Sequence, residues 1–347
     1  MTQDNPSRAL VLSGGGGRGA YHVGVLRFLE EHEWYPDIIV GTSIGAVNGA
    51  AIASGHTAQS LWSLWRRLST HDVQRRAWSL FSPDKDSHLL DTSPLRETLV
   101  EKGWVDMAQI NAPSPHCHLR ITVVEAETGH LRVFGNSSDP YVGSRCECAG
   151  LTLDHILASC SIPVIYPPTQ IGDVTYWDGG TVANTPLGPA VDAGADEIVV
   201  VLMTPWEDDA HRPRYDAVSG LEGMLLAAQW AFEWGLLASF QADLKLFRRT
   251  NKVVQLTIEN RRLELENAAL KARLQDEPRS AQEAADLAYR EIEPPVIVSP
   301  QRPIPLMDIL SYELDNHEKL YVMGYEDARA AWTRVGRRVE GQAAGGG

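Results

Sequence analysis

The sequence predicts an α/β fold in which a mainly parallel sheet is covered by helices. Two observations predict it. Short apolar runs at 9–13 and 38–40 each lead directly into a helical pattern, so strand, helix, strand and helix succeed one another up to residue 53. Further on, the β-branched run at 197–203 suits the interior of a sheet buried on both faces. Parallel neighbours joined this way need right-handed crossovers.

The elements follow in order. Residues 9–13 end in glycines and read as a buried strand. Tyr21, Val25, Leu26, Phe28 and Leu29 recur at mostly helical spacing, giving a helix to about residue 32, and Pro36 breaks the chain before the second strand. Residues 44–53 form a small-residue helix with Gly55 as its terminator. Helical segments around Trp62, Leu64, Trp65 and Trp78 precede a polar stretch at 82–87. Residues 119–125 and 130–134, joined through Glu127-Thr128-Gly129, predict a hairpin, and 151–159 a helix stopped by Pro163. Gly172-Asp173 turns a second hairpin that leads to Trp177-Asp178-Gly179-Gly180, and 187–193 is helical.

From 221 to 274 the pattern is helical with isolated glycines only. Leu256, Leu263 and Leu270 recur every seven residues, with Asn267 and Leu274 on the neighbouring seam. Two readings stand: a helix laid across the body, or a dimerising or lid-like hairpin through which the chain forms a homo-oligomer. Residues 294–305 form an extended proline-rich connection, 312–335 a final helix, and the Gly-Gly-Gly end is expected to be disordered.

The 347 residues carry 31 Lys and Arg against 45 Asp and Glu, a net charge of -14 that opposes attraction to nucleic-acid phosphates and anionic lipid surfaces. No nucleic-acid partner is expected, and Arg66, Arg67, Arg75 and Arg76 read as a solvated face. Cys117, Cys146, Cys148 and Cys160 form no CxxC pair and have no zinc spacing, so they read as reduced thiols suited to a reducing compartment. The apolar run at 9–12 is too short for a signal-peptide core and nothing reaches membrane-spanning length. The expectation is a cytoplasmic protein without a metal or other cofactor.

The strongest chemical signal is Gly41-Thr42-Ser43-Ile44-Gly45. A serine between glycines on a strand-to-helix turn is a nucleophile elbow, where a Cβ at either flank would crowd the bend. The competing reading is an ordinary helix cap. The second signal is Gly14-Gly15-Gly16-Gly17-Arg18-Gly19, again between a strand and a helix. Gly14, Gly16 and Gly19 satisfy a dinucleotide pattern, but the acid that pattern wants at the end of the second strand is replaced by Gly41-Thr42-Ser43. Adjacent parallel strands would set both turns side by side, where a nest of amide donors serves an oxyanion instead. His155, His211 and His317 lie in no motif and read as surface residues, whereas His22 reads as packing. An isolated Asp178-Gly179-Gly180 reads first as a turn.

Together, GGGGRG at 14–19, GTSIG at 41–45 and DGG at 178–180 resemble the patatin-like phospholipase family of lipid acyl hydrolases. Ala158-Ser159-Cys160-Ser161-Ile162-Pro163, Tyr166-Pro167-Pro168 and Asn184-Thr185-Pro186 support the resemblance, which covers about 8–205 and, less specifically, 303–327. It implies a three-layer α/β/α sandwich and a dyad of Ser43 as nucleophile and Asp178 as base. It also implies an oxyanion hole of Gly15, Gly16 and Gly17 amides, with Arg18 as a loop cation. The expected division is a flexible N-terminus at 1–7, a catalytic core at 8–205, a helical insertion at 206–293, a segment completing the core at 294–336 and a disordered tail at 337–347. A lipid ester substrate follows from the resemblance, with peripheral membrane contact through the tryptophan-rich region. An acyltransferase using the same dyad and a non-catalytic nucleotide-binding module are the alternatives.

Overall fold

The computed structural model describes residues 6–76, 88–138, 146–206, 220–275 and 291–336. Trp78, the polar stretch at 82–87, His211, the extreme N-terminus and the Gly-rich tail lie outside the described residues. Among the described residues, one sheet contains nine strands: β1 (Arg8–Leu12), β2 (Ile38–Thr42), β3 (His118–Glu125), β4 (Leu131–Gly135), β5 (Cys146–Glu147), β6 (Thr169–Ile171), β7 (Val174–Asp178), β8 (Glu197–Val201) and β9 (Val296–Val298). The main path across it is β9-β8-β1-β2-β3-β4-β5, and its first five strands are parallel. Both expected hairpins are present, β3 with β4 and β6 with β7.

The helices are α1 (Ala20–Glu31), α2 (Ile44–Ala53), α3 (Ala58–Trp65), α4 (Ser93–Glu101), α5 (Leu153–Ser159), α6 (Gly188–Asp192), α7 (Gly220–Gln275) and α8 (Leu314–Arg334), apart from shorter turns. Because side chains alternate along a strand, Leu10, Leu12 and Ile39 face a core with α1, α2 and α8, while Ala9, Val11, Ile38 and Val40 face the other way. That second core is filled from α7 by Leu237, Phe240, Leu244 and Phe247. Helices thus cover both faces of the sheet in three layers. The 221–274 pattern forms one unbroken 56-residue helix, roughly 84 Å long at 1.5 Å per residue.

Four expectations are corrected. The proline-flanked 294–305 stretch is extended, but Val296–Val298 also joins the sheet edge beside Val199–Val201. Three residues of strand acquire that identity only from a partner almost a hundred positions away. Cys146 and Cys148, expected as free thiols, form a disulfide, with Cα atoms 5.5 Å apart, inside the range a disulfide spans. Cys117 and Cys160 are free and buried. His155 and His317 are buried rather than on the surface, His155 accepting the Thr152 amide at 2.8 Å and His317 lying 3.0 Å from the Trp65 carbonyl. Trp65 is fully buried and Trp62 stacks on Tyr321, so these two tryptophans serve packing instead of a membrane surface. No helix among the described residues is long and apolar enough to cross a membrane.

Candidate active site

The register of three strands explains why Ser43 and Asp178 meet. Thr42, the last residue of β2, pairs with Thr122 of β3, and their hydroxyls are 2.6 Å apart. One rung further β2 has ended, and Val123 pairs with Asp178 of β7. The chain therefore leaves the sheet at Ser43 where β7 delivers a carboxylate, and Ser43 and Asp178 line one cavity, near enough for the serine side chain to lower the Asp178 pKa.

Ser43 has φ 56 and ψ -125, a positive-φ conformation that is uncommon for a residue with a side chain. Its side chain makes no capping hydrogen bond to α2, which sets the helix-cap reading aside. The elbow is wedged against backbone: a Cβ on Gly45 would lie 2.2 Å from the Leu12 carbonyl, and one on Gly41 would lie 2.4 Å from the Gly45 carbonyl. Ser43 N–H donates to Ser159 Oγ at 2.8 Å, and Ser159 Oγ donates to the Thr122 carbonyl at 2.8 Å. Ser159 thus ties the strained turn to β3. Only the small-residue segment at 158–163 hinted at it in the sequence.

The glycine loop reaches the same place from β1. A Cβ on Gly14 would approach Ser43 Cβ to 3.1 Å and Asn184 Oδ1 to 2.4 Å. Gly15 and Gly16 line the cavity that holds Ser43 and Asp178, whereas Gly17 does not; its missing Cβ faces the Ser311 carbonyl, 2.0 Å away. Gly19 abuts Ile44 and Trp65, and Gly179 abuts Thr122. Arg18 is fully buried, donating through Nε to the Gly15 carbonyl at 3.3 Å and through Nη1 to the Met203 carbonyl at 3.4 Å. Burial lowers its pKa to about 10, with Glu233 and Asp308 pulling the other way, so it remains a cation at neutral pH. Behind the loop, Asn48 donates to the Gly19 carbonyl and accepts from Trp65 Nε1, both at 3.0 Å. His22 lies 3.3 Å from Asn48, and burial, then Arg18, lowers its pKa to about 3, leaving it neutral.

Asp178 is buried, and desolvation pushes its pKa up to about 7 against the opposing hydrogen bonds from Ser43 and the Gly180 amide. The latter is 2.7 Å long, so Gly180 holds Oδ1 while the carboxylate still reaches the serine. A carboxylate with that pKa is a far better proton acceptor at neutral pH than an exposed aspartate.

Two cavities meet at Ser43. One, about 430 Å³ and open to solvent, is bounded by the glycine loop, Arg18, Asp178, Asn184 and the α7 residues Ala231, Gly235 and Leu236. The other is a tight, largely apolar crevice of about 30 Å³ between Ile44, Val47, Leu95, Leu99, Trp104, Tyr166 and Tyr312. Among the described residues, no histidine lines either cavity. Among the described residues, no group of three or more His, Cys, Asp or Glu side chains is placed to hold a metal.

The chain is 27% identical over 230 residues to the lysophospholipase NTE1 of Debaryomyces hansenii, an alignment covering 62% of this chain and 13% of that protein. It is also 27% identical over 210 residues to the cGAMP-activated phospholipase of Vibrio cholerae, covering 52% of this chain and 56% of the relative. The chain therefore spans only a small part of the fungal relatives' length. Among solved structures, VipD from Legionella pneumophila aligns over 95% of this chain and 67% of its own, with 12% identity and a TM-score of 0.44. The pattern of the patatin-like phospholipase family matches residues 10–191, more than half of the sequence. The chain belongs to the patatin-like phospholipase family.

Proposed function

We propose that this protein hydrolyses carboxylic ester bonds of lipids, as a phospholipase A or lipid esterase, through a Ser43–Asp178 dyad and an acyl-enzyme intermediate. The observation that carries the reading is Ser43 on a strained elbow, sharing one cavity with the buried Asp178 carboxylate and the glycine loop. Asp178 takes the hydroxyl proton as Ser43 Oγ bonds to the ester carbonyl carbon. The carbonyl oxygen becomes an oxyanion held by loop amides, for which Gly15 and Gly16 are better placed than Gly17. When the intermediate collapses, the alcohol oxygen leaves with the proton from Asp178. Water then gives a proton to Asp178 and attacks the acyl carbon, and Ser43 recovers that proton as the fatty acid departs.

The two cavities suit the two halves of such a substrate. The narrow apolar one takes the acyl chain as its side chains part, and the wider one, with buried Arg18 at its wall, takes the alcohol or head group. Val182 on the wide cavity is 44% exposed, and Val164 and Met307, close in sequence to its lining residues Pro163 and Ile309, are 70% and 74% exposed. These side chains, rather than the tryptophans, are the contact proposed for a lipid surface. The catalytic unit is read as 8–205 completed by 294–336, with 206–293 inserted.

A fluorophosphonate probe and a series of esters, from short p-nitrophenyl esters to long-chain phospholipids, test the proposal. Covalent labelling lost in Ser43→Ala, with turnover lost in both Ser43→Ala and Asp178→Asn, is the expected result. Full turnover by folded Asp178→Asn would overturn it.

A further inference from the structure

We propose that the C-terminal half of α7 pairs with the same helix of a second copy of this chain, as a parallel two-stranded coiled coil. The N-terminal half of α7 is fastened to the body by Leu237, Phe240, Leu244 and Phe247, and Asn251 extends this face through a pair of hydrogen bonds with Ile292, 2.6 and 3.1 Å long. At 100° per residue, Val253, Leu256, Asn260, Leu263, Asn267 and Leu270 form a stripe rotated roughly 150° from that face. The body therefore cannot cover the stripe. Val253, Leu256, Leu263 and Leu270 are 62%, 46%, 49% and 55% exposed, an unusual density of bare aliphatic side chains on one helix.

The spacing identifies the occupant. The stripe alternates by three and four, with leucine at each d position and Val253, Asn260 and Asn267 at the a positions. A buried asparagine at an a position is satisfied by the same asparagine across a parallel, in-register dimer, whereas lipid or an apolar groove would leave it unpaired. Two consecutive asparagine layers between leucine layers thus select a second copy in register. The flanks permit it: Glu264 is held by Arg261 at 3.2 Å and Glu266 by Arg262 at 2.9 Å, so neither edges the seam as a bare charge. Arg249, at the preceding d position, marks where the apolar run begins. With the stripe opposite the packed face, the two bodies lie on the outside of the pair.

Mass is the direct test, read by light scattering on the full-length protein at micromolar concentration. The expected value is twice the chain mass of 38.2 kDa, falling to the single-chain mass in Leu256→Glu/Leu263→Glu. Asn260→Val/Asn267→Val should tighten the dimer by tenfold or more, because the polar layers cost stability. Orientation is read with Asn260→Cys, since a parallel register sets the two introduced thiols face to face. Rapid oxidative cross-linking to a dimer is expected. A single-chain mass for the wild type, an unchanged dimer in the double glutamate variant, or an Asn260→Cys variant that does not cross-link each overturns the proposal. Circular dichroism identical to wild type separates loss of the seam from loss of the fold. None of these readouts depends on ester hydrolysis, so this inference and the proposed chemistry fail separately.

Discussion

Ser43 carries two costs at once: a positive φ and a buried hydroxyl. A residue in such a conformation stores about 1–3 kcal/mol. Ser43→Gly should therefore be inactive yet melt above Ser43→Ala, which thermal unfolding can compare directly. In the proposed dyad, Asp178 sets the pH dependence. It must be ionised to accept a proton, so kcat/KM should climb with pH and level off above about 7, the value to which burial raises its pKa. Stability runs the other way. Between its ordinary carboxylate pKa and about 7 the folded protein binds the extra proton, so the stabilisation present at low pH is lost as pH rises through that window. Asp178→Asn should accordingly gain thermal stability over wild type at pH 8, by an amount on the order of a few kcal/mol at most, and little at pH 4. Ser159→Ala removes the hydrogen bond to the Ser43 amide, and kcat should fall up to about tenfold, the worth of one such bond. Steady-state kinetics with an unchanged melting profile would check that Ser159 acts by positioning.

At the scale of elements, the site is made by the ends of β1, β2 and β7 and by the loops they release. β3 is the frame, since its first five residues pair with β2 and its last three with β7 along the same edge. Gly45→Ala presses a methyl into the Leu12 carbonyl at 2.2 Å, between the turns of β1 and β2. The expected outcome is loss of folded protein rather than a purely kinetic defect, as soluble yield and circular dichroism would reveal. Trp104, packed edge-on against Trp65 with ring centroids 5.7 Å apart, walls the narrow cavity. Trp104→Phe makes room without emptying the core, and the chain-length optimum should move toward longer acyl esters in a kcat/KM series. The motifs and both hairpins were legible in the sequence because each is local: glycine runs, a serine between glycines, alternating apolar residues about a turn. The Gly15–Gly17 trio was less legible, because which of these glycines line the cavity is decided by how the loop folds between β1 and the 306–311 segment; Gly15 and Gly16 line it and Gly17 does not.

Across the whole molecule, charge and exposed apolar surface determine how a lipid is approached. A net charge of -14 disfavours anionic surfaces, while Val164, Val182 and Met307 present apolar side chains near the wide cavity. Zwitterionic vesicles should therefore be better substrates than anionic ones at low salt. Val164→Asp with Met307→Asp should lower vesicle hydrolysis several-fold and leave a soluble short-chain ester unaffected. Equal loss on both substrates would place these residues in the chemistry instead of at a surface.

The sequence by itself determined the parallel α/β pattern, the two crossover turns and the candidate nucleophile, because each is written in contiguous residues whose backbone demands are local, whereas Asp178 stood out only through the family resemblance. Only the tertiary structure decided that Asp178 stands one rung beyond Thr42, that Ser159 anchors the elbow, that Val296–Val298 closes the sheet edge, and that the leucine stripe of α7 faces away from the body. Those facts arise from strand register and helix rotation between segments far apart in the chain. A pairing shift of one residue, or a rotation of one position, would change each of them without altering any local pattern.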